Sequence, residues 1–198
     1  MKFLIDGDDG APRTYIFAHG AGGPMRTPWM TRVAKALAEG GIRVVRFEFA
    51  YMEAKKKAPD REPVLLETWR EAIRSQGERA IFIGGKSMGG RIATMVADEM
   101  NVRGVVCFGY PFHPPGQPDK LRTKHLETMK TPALILQGER DPFGTKEDVK
   151  GYKLSRSIHV EFIEDGDHSL KPRASSGVTE ANNIARAVAI ATKFIAAK

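Results

Sequence analysis

The run Ile81-Phe82-Ile83-Gly84-Gly85-Lys86-Ser87-Met88-Gly89-Gly90-Arg91-Ile92 constrains this chain more than any other stretch, because a short apolar strand pattern passes through glycines straight into helical spacing. Its centre, Gly85-Lys86-Ser87-Met88-Gly89, reads G-x-S-x-G. A strand that reverses into a helix over one residue forces strained φ/ψ on the serine and leaves no room for neighbouring side chains, which is why glycines flank it. Such a turn pushes the hydroxyl out above the sheet. At the first turn of the helix it also meets free backbone N–H groups and the positive end of the helix dipole, both suited to a developing oxyanion. Ser87 is therefore the expected nucleophile, with a plain glycine turn as the bland alternative. The same letters resemble the end of a phosphate loop, G-x-x-x-x-G-K-S, but the first glycine of that pattern falls on Ala80 and the intervening residues read as a strand.

A length of 198 residues with 41% hydrophobic residues suits one globular domain spanning 1–198, long enough to bury a full sheet-and-helix core. No stretch approaches the roughly 18 apolar residues of a membrane span, and Met1 to Asp6 stops being apolar too soon for a signal peptide. A soluble, cytoplasmic protein without a membrane partner is expected. The net charge of +7 is spread along the chain with no nucleic-acid motif, so it reads as solvated surface, as does Lys55-Lys56-Lys57 in an expected loop. The single cysteine, Cys107, lies in the apolar run Val105 to Phe108 and excludes an internal disulfide. The histidines lack paired ligand spacing, so neither a metal nor another cofactor is expected.

Strands and helices alternate along the chain. Phe3 to Ile5 reads as a short edge strand, Thr14 to Ala18 as a longer inner one, followed by a helix capped by Thr27 with Pro28 at its first position and Met30, Val33, Ala34 and Leu37 inward. Ile42 to Phe49 is the next strand; a polar, basic loop then leads to a helix from about Pro63 with Leu65, Leu66, Trp69 and Ile73 inward. Beyond Ser87 the helical spacing runs to about Met100, and Val102 to Phe108 reads as a buried strand. The proline-rich segment Gly109 to Pro118 precedes an expected helix ending near Met129. Ala133 to Leu136 is a strand, Thr145 with Asp148 a capping box for a short helix to Leu154, Ile158 to Ile163 the last strand, and Thr179 opens a terminal helix. The pattern predicts an α/β fold: a mostly parallel central sheet, helices on both faces, and ligands at the carboxyl ends of the strands.

Serine is a weak nucleophile at neutral pH, so a base and a group orienting that base are needed on neighbouring strand ends. Asp141 follows one strand and His168 the next, so the spacing offers His168 as proton acceptor and Asp141 as its orienter. The bland alternatives are an Asp-Pro turn and a surface-loop histidine. Asp148 falls inside a helix, while Asp165 and Asp167 crowd His168 in its own loop. His19-Gly20-Ala21-Gly22 follows the inner strand where one oxyanion N–H is expected, assigned to Ala21 with Gly20 or Gly22 as alternatives; Met88 supplies the other. His19, Gly20, Gly22 and His113 are candidate pocket lining, His19 more as a brace of its loop than as a reagent.

The order Ser87, Asp141, His168 is the chain order of α/β-hydrolases, and nearly end to end the chain resembles a small, lid-poor member of that superfamily. Within it, His19-Gly20-Ala21-Gly22, Gly85 to Arg91, Tyr110-Pro111 with His113-Pro114-Pro115, and Asp165-Gly166-Asp167-His168 resemble a family of predicted hydrolases. That family is related to the hydrolase-like subunit of a chromatin-acetylation complex and, more distantly, to dienelactone hydrolases. Dienelactone hydrolases carry a cysteine nucleophile where this chain has Ser87, so their lactone substrate is not implied. The resemblance implies a serine hydrolase acting on a small acyl substrate, an ester or thioester, without a cofactor. The rival it also implies is a non-catalytic scaffold for a protein partner, since fold alone does not establish catalysis.

Overall fold

The computed structural model describes residues 1–198. Seven strands form one sheet: β1 (Phe3–Asp6), β2 (Arg13–Ala18), β3 (Arg43–Phe47), β4 (Ala80–Lys86), β5 (Gly104–Phe108), β6 (Ala133–Gly138) and β7 (Ile158–Ile163). Their order in space is β1-β3-β2-β4-β5-β6-β7. Only β1 runs antiparallel, against β3; every other neighbouring pair is parallel. The chain reverses direction in the sheet after β3, returning past β2 to β4, and that switch point is where open parallel sheets gather their ligands. Ser87 follows β4 directly.

Six helices cover the sheet: α1 (Pro28–Glu39), α2 (Ala50–Glu53), α3 (Glu62–Arg74), α4 (Met88–Val96), α5 (Lys146–Lys150) and α6 (Glu180–Ala196). Alternation along each strand splits the core in two. Tyr15, Phe17, Phe82, Val106, Phe108, Leu134 and Leu136 pack under α1 and α6, while Ile16, Ile83, Val105, Cys107 and Ile135 pack under α3 and α4. In α1, Met30, Val33, Ala34 and Leu37 fall 3, 1 and 3 positions apart and all are buried. Burying each of the three larger ones stabilises the fold by about 1.5–3 kcal/mol before chain entropy is counted. The Thr27 side chain accepts the Met30 N–H at 3.3 Å and Pro28 takes the first helical position, where its missing N–H costs nothing.

Several boundaries differ from the sequence expectation. The segment expected to be a helix ending near Met129 is a single 3-10 turn, Lys124–Glu127, because Leu126 is its one buried anchor. The helix α5 ends at Lys150 rather than Leu154, and α4 ends at Val96 rather than near Met100. The basic loop after β3 contains α2, nucleated by the buried Tyr51, whose hydroxyl donates to Ala21 O at 3.0 Å. No helix is long and apolar enough to cross a membrane. The segments over the carboxyl edge of the sheet, 48–61 and 109–123, are loops and one short helix rather than a lid domain.

Candidate active site

Ser87 occupies φ 51°, ψ −118°, a conformation L-residues avoid. The surrounding backbone holds it there: Ser87 N–H donates to Phe108 O at 3.1 Å, and Arg91 N–H donates to Ser87 O at 3.0 Å. Two glycines let β2 approach this turn. A Cβ on Gly85 would press into Ala18 O, and one on Gly89 would lie 2.5 Å from His19 O.

The carboxyl ends of β4, β6 and β7 bring three distant residues together. His168 Nε2 lies 2.8 Å from Ser87 Oγ, and His168 Nδ1 lies 2.8 Å from Asp141 Oδ2. With Nδ1–H donating to the carboxylate, Nε2 is left to accept the serine proton. Asp141 is fully buried, and Gln137 Nε2 donates to its Oδ2 at 2.9 Å while Phe143 N–H donates to its Oδ1 at 2.9 Å. Burial holds the His168 pKa below the ordinary histidine value; the Asp141 hydrogen bond pulls it up and the Lys86 ammonium pushes it down. Phe143 covers the imidazole, ring centroids 4.2 Å apart.

The other aspartates are engaged elsewhere. Asp148 Oδ2 accepts from Thr145 in a complete capping box. Asp165 pairs with Arg173 and Arg140, and Asp167 Oδ1 accepts the Ser169 and Lys171 N–H groups at 2.7 and 3.0 Å. Of the four, Asp141 is the one whose carboxylate meets His168.

Ala21 and Met88 both face the space beside Ser87. The Met88 N–H starts α4, where a helix has no partner four residues back. Two cavities open on the serine. One, of about 410 Å³, is lined by Gly20, Gly22, Trp29, Met30, Phe143 and His168. The other, of about 380 Å³, adjoins Leu65, Arg91, Pro111 and Arg122. Among the candidate lining residues, Gly20 and Gly22 border the first cavity, whereas His19 and His113 border neither. His19 is buried behind its loop: Nδ1–H donates to Gly20 O at 2.7 Å and Nε2 accepts the Phe49 N–H at 3.2 Å. His113 donates from Nδ1 to Pro114 O at 2.8 Å and its Nε2 lies 3.8 Å from Asp148. Both are buried, and each ring bonds the carbonyl of the residue that follows it.

Three residues gave no usable signal in the sequence. Gln137, fully buried, accepts the Tyr110 N–H at 2.8 Å and donates to Gly144 O at 3.0 Å as well as to Asp141, tying the Tyr110 and Asp141 loops together. Lys86 donates from Nζ to His168 O and lies 5.5 Å from the Trp29 ring centroid; burial pushes its pKa down to about 8. Trp29 in turn donates to Ser169 O at 3.0 Å. Each acts across a loop or on a residue 82 or more positions away, where no spacing rule reaches. No three His, Cys, Asp or Glu side chains are grouped as a metal's ligands would be.

Solved structures share this architecture. An alpha-beta serine hydrolase homologue from Coxiella burnetii is 22% identical, with TM-score 0.76 over 98% of this chain and 90% of its own. A serine hydrolase without lid from Xanthomonas campestris is 20% identical, TM-score 0.74, over 99% and 90%. A dienelactone hydrolase from Anabaena variabilis is 19% identical, TM-score 0.74, over 98% and 90%. At such identities the likeness is one of fold. The sequence signature described as an alpha/beta hydrolase domain matches residues 11–196, nearly the whole length, and the chain belongs to the α/β-hydrolase family.

Proposed function

We propose that this protein, a single domain over 1–198, is a serine hydrolase that cleaves a small carboxylic ester or thioester through an acyl-enzyme on Ser87. The observation that carries this reading is the continuous hydrogen-bonded chain from Ser87 Oγ through His168 to Asp141, both links at 2.8 Å. His168 Nε2 takes the Ser87 proton as Oγ attacks the acyl carbon. The carbonyl oxygen becomes an oxyanion facing the Ala21 and Met88 N–H groups, and Asp141 stabilises the imidazolium. Collapse expels the leaving group, which His168 protonates; water then attacks the acyl-enzyme with His168 again as base. The cycle calls for no metal or organic cofactor.

The lowered His168 pKa supports the reading, because it keeps the base neutral and receptive near neutral pH. The short covering segments favour small acyl substrates over long lipid chains.

A fluorophosphonate probe tests the reading, since the hydrogen-bonded serine is expected to react far faster than an ordinary hydroxyl. The expected result is one adduct, on the peptide containing Ser87, lost in His168→Ala. Folded protein that takes no label would instead favour a scaffold that binds a protein partner; an adduct on another serine would mean a different nucleophile.

A further inference from the structure

The cavity of about 380 Å³ beside Ser87 is lined by two arginines, and the guanidinium of only one of them is answered within the molecule. Arg91, on α4, pairs with Glu62 at 3.2 Å. Asp60, the other acid bordering the cavity, accepts the Tyr51 N–H at 2.8 Å. The Arg122 guanidinium makes neither an ion pair nor a hydrogen bond, although its main chain is anchored on both sides. Its N–H donates to Phe112 O at 2.7 Å, and its carbonyl accepts from Tyr110 Oη–H at 3.0 Å. Partial burial and the like charge of Arg91 both act against its protonated form. In the opposite cavity no acid borders the space, but the one cation there, Lys86, already donates to His168 O.

A half-buried guanidinium beside a second one is unfavourable unless an anion sits between them. The planar fork of five N–H donors fits an oxyanion group in two-point contact, and an anchored backbone limits the entropy lost on forming it. We propose that this cavity is an anion subsite: the ester or thioester attacked by Ser87 carries a carboxylate or phosphate group that seats on Arg122, with Arg91 beside it. The inference rests on the serine-hydrolase reading and adds to it the chemical class of the substrate. The neutral part of the substrate then fills the space walled by Trp29, Met30 and Phe143.

The test compares kcat/KM for p-nitrophenyl butyrate with that for the p-nitrophenyl monoesters of succinate and glutarate, which place a carboxylate on the acyl side. The butyryl ester of a hydroxyalkyl phosphate places the anion on the leaving side, and acid release is titrated. At least one anionic ester is expected to exceed its neutral counterpart by roughly 10- to 100-fold, the range of a charge-assisted hydrogen bond. In Arg122→Gln that ratio falls to near one. Because the guanidinium holds no other part of the protein, this variant is expected to fold, and its fluorophosphonate labelling rate reports Ser87 competence separately. Two outcomes overturn the subsite: no anionic ester is preferred, or the preference survives Arg122→Gln. If Ser87 takes no label and no ester turns over, calorimetry with succinate and with inorganic phosphate decides. Binding lost in Arg122→Gln keeps the subsite while the hydrolase reading fails; no binding of either anion overturns it.

Discussion

Ser87 and Asp141 reach one imidazole from opposite directions and are held there by different means. The serine turn is held by backbone: it leaves the central strand β4, bonds to Phe108 O, and is pressed against Ala18 and His19 so closely that a methyl group on Gly85 or Gly89 has no place. The acid loop has backbone bonds of its own, such as Arg140 N–H to Gly166 O at 2.9 Å, but it adds side-chain ties to them. Gln137 grips Asp141 from inside β6, Glu139 Oε2 accepts the Asp165 N–H at 3.0 Å, and Arg140 donates from Nε to Asp165 O at 3.0 Å, tying the loops after β6 and β7 to each other. The difference teaches that a serine in a strained turn is placed by close backbone packing, whereas a buried carboxylate also needs side-chain partners from several positions.

The largest effect that sharpens this contrast is on chemistry. Asp141→Asn keeps the shape but stabilises the wrong tautomer of His168, and kcat on the best ester is expected to fall by on the order of 10⁴, with circular dichroism unchanged. Asp167→Asn retains an amide oxygen able to accept the Ser169 and Lys171 N–H groups, and is expected to stay within about tenfold of the wild type, a gap of three orders from the first variant. If Asp167→Asn were the crippling change, the orienting carboxylate would have to be reassigned.

The next effect is on stability. Gly85→Ala forces a Cβ into Ala18 O, which only a shift of β2 or β4 relieves, so a loss of about 1–3 kcal/mol or more is expected in denaturant unfolding. Glu139→Gln keeps an acceptor for Asp165 and loses a partly exposed pair with Lys146, and about 1 kcal/mol or less is expected. Equal losses for the two would erase the distinction between a locally and a diffusely held arm.

The smallest effect is on pH dependence. A base whose pKa is lowered is neutral, hence active, above that pKa, so kcat/KM is expected to rise from acid along a limb below the ordinary histidine range and to level off near neutrality. The Lys86 ammonium disfavours the imidazolium; removing it in Lys86→Met makes His168 easier to protonate, which moves the acid limb to higher pH. A limb that moved to lower pH, or stayed in place, would mean that Lys86 acts on His168 through its hydrogen bond alone.

What the sequence determined by itself is what local rules encode. The G-x-S-x-G turn, the alternation of apolar strands with amphipathic helices, the Thr27, Thr145 and Thr179 caps, and the two polar loops carrying Asp141 and His168 all rest on contacts within a few residues or on simple periodicity. Tertiary structure decided the rest. The strand order brings residues 54 and 27 positions apart onto one imidazole, buries His19 and His113 against their own loops, and sets Gln137, Lys86 and Trp29 as supports. It also leaves the Arg122 guanidinium, on the wall of a cavity that Ser87 shares, without an ion pair. These depend on which loops meet at the carboxyl edge of the sheet, and two chain segments meet there only because their strands share a core, a fact that no residue's immediate neighbours carry.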